Sequence, residues 1–106
     1  MFVYNVTCNV ADEIVEDWLQ WMQSIHIPEV LATGRFRNCR LTRVLVQEQD
    51  GQTFSVQYDF QTEEDFRIYE EMYADNLREE TQKRFGDKVL AFRTLLQILN
   101  EQQPES

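Results

Sequence analysis

Phe2-Val3-Tyr4-Asn5-Val6-Thr7-Cys8-Asn9-Val10 and Thr53-Phe54-Ser55-Val56-Gln57-Tyr58-Asp59-Phe60 decide the architecture of this chain. Both stretches alternate with a period of two, which gives a strand one apolar and one polar face. In the first, Phe2, Tyr4, Val6, Cys8 and Val10 share a side, and Val3, Asn5, Thr7 and Asn9 share the other. In the second, Phe54, Val56, Tyr58 and Phe60 stand opposite Ser55, Gln57 and Asp59.

Working outward, Asp12 is placed to cap a helix, with Glu13 and Glu16 in the first turn where negative charge suits the dipole. Ile14, Val15, Trp18, Leu19, Met22 and Ile25 follow at helical spacing, with Glu13, Glu16, Asp17, Gln20 and Ser24 opposite. Pro28 should push Ile27 out of the α region and end or kink that helix. A short helical segment to Thr33 then stops at Gly34, just past a C-cap. Residues 36–47 read as extended, and Gln49-Asp50-Gly51 carries an Asp-Gly turn signal into the second quoted strand. Thr62-Glu63-Glu64-Asp65 has the form of a capping box. It opens an acidic helix to about Phe85 with Phe66, Tyr69, Tyr73 and Leu77 on its apolar arc. Gly86 ends it, and residues 89–99 read as a last strand.

The order β-α-β-β-α-β predicts an α+β, ferredoxin-like protomer: four antiparallel strands ordered 4-1-3-2, both helices on one face. Residues 1–99 are expected to form a single domain, followed by a polar tail over 100–106.

Composition narrows the partners. The chain has 106 residues and 12.7 kDa, with 19 acidic against 10 basic residues, a net charge of −9 and a pI near 4.5. A nucleic-acid partner is not expected, since phosphate neutralisation needs a surplus of Lys and Arg. No apolar run reaches the length of a membrane span or a signal-peptide core. Cys8 and Cys39 read as reduced thiols, so the expected compartment is the cytoplasm.

The second face of the sheet is unusual for a chain that is 27% charged. Val3, Asn5, Thr7, Asn9, Ser55 and Gln57 carry no charge, and Asp59 enters only at the end. Uncharged hydrogen-bonding side chains suit a partly enclosed surface. A homodimer closed over this face is therefore expected, against the plainer alternative of a wet sheet face.

Residues 1–99 also resemble a family of short bacterial proteins classed as a domain of unknown function. The stretches that carry this are Tyr4-Asn5-Val6-Thr7, Trp18-Leu19-Gln20-Trp21-Met22, residues 26–34 (HIPEVLATG), Arg84-Phe85-Gly86 and Phe92-Arg93-Thr94-Leu95-Leu96. More distantly, the His-x-Pro spacing leading to a glycine is similar to members of the dimeric α/β-barrel superfamily, including EthD-like proteins and small cofactor-free monooxygenases. The resemblance implies a protomer whose sheet packs on that of a second protomer, closing a barrel around a ligand-sized cavity. A histidine at the place of His26 is sometimes functional in those distant relatives.

The candidate residues each admit two readings. His26, the sole histidine, continues the helical stripe and could be a general base, or could simply orient the Pro28 kink. Trp18 reads as core, while Trp21 at the margin could line a cavity mouth or cover a neighbour. Arg93 could bind an anion or pair with one of the many carboxylates. Arg35, Arg37, Arg40 and Arg43 could grip an acidic group or protect an edge strand by charge. One His, two distant Cys and scattered acids match no metal spacing, and neither a phosphate loop nor a nucleophile elbow is present.

Two functions follow from these readings. The first is a non-catalytic homodimeric module, binding a small organic ligand or serving structure or regulation. The second is a cofactor-independent oxygenase or isomerase using His26, Trp21 and Asn5. No metal or cofactor is expected in either. Any pocket is expected between the sheet and residues 26–34, lined by Trp21, Ile25 and Phe36, with His26, Asn5 and Arg93 as its polar groups.

Overall fold

A computed structural model describes residues 1–47 and 50–105. Four antiparallel strands, β1 (Phe2–Val10), β2 (Asn38–Arg43), β3 (Gln52–Phe60) and β4 (Val89–Gln97), form one sheet in the order β2-β3-β1-β4. This is the expected ferredoxin-like order. The two alternating stretches are central neighbours, with Phe2 opposite Phe60 and Cys8 opposite Phe54. Their even-numbered residues face the helices, where Trp18, Phe54, Val56, Tyr58 and Phe60 are all but sealed from solvent.

The two helical arms differ from expectation in ways that matter for the site. Asp12 does not cap the first arm: Ala11 holds the cap position without a side-chain bond, and Asp12–Ile14 forms a 3₁₀ turn. The arm then runs through α1 (Val15–Trp21), a π-turn (Met22–His26) and α2 (Ile27–Ala32). Pro28 neither ends it nor displaces Ile27, whose φ of −60° and ψ of −46° are helical. The reason is the π-turn. The Ile27 N–H reaches back to the Met22 carbonyl, and Pro28 falls in the first turn of α2, where a missing N–H is tolerated. Around the widened turn, the Gln23 and Ser24 side chains donate to the carbonyls of Leu19 and Gln20 at 3.1 and 2.7 Å.

The extra residue in that turn rotates the stripe. Trp18, Met22 and Val30 are buried, whereas Ile25 is turned out and 43% exposed. The second arm repeats the device with α3 (Glu63–Tyr69), a π-turn (Glu70–Ala74) and α4 (Asp75–Phe85). Here Ala74 takes the fully buried place that simple periodicity assigns to Tyr73, which is exposed. Thr62 does cap this arm, accepting from the Asp65 N–H at 3.2 Å.

The helices stop where glycine permits it: Gly34 at φ +79° accepts no further helical turn, and its N–H bonds the Leu31 carbonyl at 3.1 Å. The extended segment after it is shorter than expected. Phe36 turns into the core and only Asn38–Arg43 pairs as a strand. Of the Asp-Gly turn, Gln49 lies outside the described residues. Among the described residues no helix is long and apolar enough to cross a membrane.

Candidate functional site

A cavity of about 490 Å³ opens between the helix-side face of the sheet and the two arms. Small residues of β1 and β4, Val6, Cys8 and Ala91, line its floor, and Arg93 stands beside Val6. Met22 and His26 reach it from the first π-turn, and Leu77, Arg78 and Thr81 from α4. Most of its helical wall thus comes from α4; of residues 26–34, expected from the sequence to cover it, His26 alone lines it.

His26 is the last residue of its π-turn, which is what leaves it facing inward after Ile25 has rotated away. Its ring stacks on Trp21, with centroids 4.9 Å apart and planes 24° off parallel. Its Nδ1 is buried with no hydrogen-bond partner. Burial pushes the imidazole down to about 4; Glu80 opposes that shift and the Arg93 charge adds to it. The ring is therefore neutral at physiological pH. Trp21 itself is buried against Phe85 and backs the histidine without lining the cavity.

Tyr4 supplies the centre of the polar wall. Its ring is buried among Phe36, Tyr58, Phe66 and Tyr69, and its hydroxyl emerges between two guanidinium groups. Arg78 Nη2 and Arg93 Nε each donate to that oxygen at 3.1 Å. Arg78 has a counter-ion, Glu70, at 2.6 Å. Arg93 has none among the described residues, so the expected pairing with a carboxylate gives way to a bond with a phenol. Cys8 lines the floor, but burial pushes its thiol up to about 11 and leaves it unreactive.

Of the residues expected to converge, the structure brings His26 and Arg93 to one cavity and sends Asn5 elsewhere. Asn5 lies on the opposite face of the sheet, paired with Gln57 and Thr94. There it belongs to a ladder of side-chain hydrogen bonds. It donates to Thr7 at 3.1 Å and accepts from Ser55 at 2.5 Å; Gln57 donates to Ser55 at 3.2 Å. Arg40 closes the ladder, bonding Gln57 and clamping Asp59 through two bonds of 3.0 and 2.8 Å. These bonds hold the Asp59 carboxyl below its usual range. Beside this ladder β4 adds Leu90, Phe92 and Leu96, the second of them 65% exposed. The sequence reading missed this rim.

The basic run does not act as one group. Arg35 pairs with Asp65 across to α3 at 3.2 Å, Arg40 sits on the open face, and Arg43 lies over the Phe54 ring. Among the described residues no group of three or more metal-ligating side chains comes together.

The fold and cavity define a ferredoxin-like α+β protein with a ligand-sized pocket under its helices. The chain belongs to the DUF4286 family, a domain of unknown function, whose model matches residues 1–99. No curated protein matches it. Among solved structures it is similar to a dimeric ferredoxin-like protein from an uncultured marine organism, at 11% identity and a TM-score of 0.69, over 94% of this chain and 96% of that one. An EthD family protein from Bacillus halodurans is similar at 15% identity and a TM-score of 0.66, over 93% of this chain and all of its own. A candidate antibiotic biosynthesis monooxygenase from Deinococcus radiodurans matches at 12% identity and a TM-score of 0.62, over the whole of both chains. At these identities the likeness is one of fold.

Proposed function

We propose that the protein is a small-molecule-binding homodimer, each protomer holding its ligand between the sheet and the helical arms. The cavity carries this reading. Its volume lies within the range of about 300–1,000 Å³ usual for ligand sites, and its apolar floor meets a few convergent polar groups. The dimer rests on the open face, where a self-satisfied polar ladder lies beside Leu90, Phe92 and Leu96. Covering such a face strands few polar groups and removes apolar surface from water.

Binding is favoured over catalysis by the state of His26. A general base works best with its conjugate acid near the working pH. With His26 at about 4, loading its proton at neutral pH costs roughly 4 kcal/mol. Native mass spectrometry of freshly purified protein tests the reading: twice the chain mass with a retained small molecule supports it, and a bare monomer sinks it.

A second reading, a cofactor-independent oxygenase or isomerase, draws on one observation: His26 and Arg93 line the same cavity. An anionic ligand there would raise the histidine's pKa, bringing its proton affinity closer to the working pH. Incubating any retained ligand with protein under oxygen decides between the two. A new product mass that disappears in His26→Ala favours the enzyme; an unchanged ligand favours the binding module.

A further inference from the structure

We propose that the cavity selects planar organic monoanions, with Arg93 as the group that holds the ligand's carboxylate beside the Tyr4 hydroxyl. This deepens the binding reading above and rests on it. A cation left without a counter-ion supports it. In a chain of net charge −9, the cations near a cavity are expected to be neutralised by neighbouring acids. Arg78 is, by Glu70 at 2.6 Å, and on the acidic side Glu79 is taken by Lys83 at 3.2 Å. Arg93 forms no ion pair among the described residues and spends one donor on a neutral phenol. A guanidinium offers five donors in a planar fork, so the rest remain for a carboxylate.

Arg78 adds to the same corner. Its Nε is buried with no hydrogen-bond partner, and its Nη2 already points at the Tyr4 oxygen. A carboxylate at that oxygen would meet donors from both arginines and the hydroxyl hydrogen of Tyr4. Behind it lies the apolar floor of Val6, Cys8, Val56 and Ala91, which suits a flat hydrocarbon body. Asp75 also lines the cavity and has no ion pair among the described residues. Its charge favours a monoanion over a dianion such as phosphate.

Calorimetric titration of the intact protein with 2-naphthoate, 2-naphthalenemethanol and inorganic phosphate tests the assignment. Naphthoate should bind at least about tenfold tighter than the alcohol, a difference of about 1.4 kcal/mol, and phosphate should not bind. Arg93→Gln should erase the preference for the acid, bringing its affinity down to that of the alcohol. Arg93→Lys, which keeps the charge without the fork, should retain part of it. Equal affinities for acid and alcohol in the wild type overturn the inference but leave the cavity reading intact. So does naphthoate binding that Arg93→Gln does not weaken, or phosphate that binds as tightly as naphthoate. If neither naphthalene binds at millimolar concentration, the cavity reading falls as well. Arg93 is exposed on an edge strand, so the variant should fold; if it does not, the contrast between acid and alcohol in the wild type still decides.

Discussion

His26 and Trp18 lie two turns apart on the same arm, and substitution separates what they do. Trp18 is 1% exposed and packs on Phe54 at 4.9 Å, so Trp18→Ala leaves a large void. A loss of about 3–5 kcal/mol is expected in chemical denaturation. His26→Ala removes a stacked, half-buried ring and should cost only about 1–2 kcal/mol while abolishing ligand retention. Equal destabilisation by the two, with no ligand ever found, would mark the histidine as structural. The imidazole also leaves a pH signature. Its folded pKa of about 4 lies below the unfolded value of 6.5, so between these limits the unfolded chain binds more protons. Stability should therefore fall as the pH drops from 6.5 to 4, by up to roughly 3 kcal/mol. Thermal melts of the wild type and His26→Gln across this window check it: the variant should lose that part of the slope, and parallel curves would refute the assignment.

Both arms owe their inward faces to π-turns, which substitute Ala74 for Tyr73 and carry His26 inward while Ile25 turns out. Periodicity in the sequence could not show this, because an inserted residue changes phase without changing composition. The β2–β3 connection is more constrained. Gly51 has φ +74°, and a Cβ there would stand 2.8 Å from both Asn9 Oδ1 and the Val10 carbonyl. Gly51→Ala should lower stability by about 1–3 kcal/mol, the usual cost of forcing a side chain into a strained conformation. A melting temperature equal to that of the wild type would refute this. Trp18 and the capping Thr62 were legible in the sequence because their roles are local. The role of Pro28 was not, since it depends on the widened turn before it.

Assembly is the property on which the open face bears. A dimer through it should bury about 1,500–2,500 Å², the scale of stable interfaces. Thr7→Glu would bring like charges together near the centre of a symmetric contact, and Phe92→Asp would place charge in its apolar rim. The wild type should sediment as a dimer at micromolar concentration and both variants as folded monomers; a dimer unaffected by either would remove this face as the interface. The alternation of residues 2–10 and 53–60, with the caps and glycines between elements, was enough to determine the sheet order and which side of its centre meets the helices. Such patterns are local, and each strand carries its own. Register is different. Asn5 and Arg93 are both odd-numbered, yet Arg93 pairs with Val6 and so lies on the other side of the sheet from Asn5. With apolar residues at Leu90 and Phe92 on one face and Val89 and Ala91 on the other, β4 shows no preference that a reader of the sequence could use. Only its pairing with β1 brings Arg93 to His26 and leaves Asn5 on the open face, because the parity of one strand relative to another exists only once their hydrogen bonds have formed.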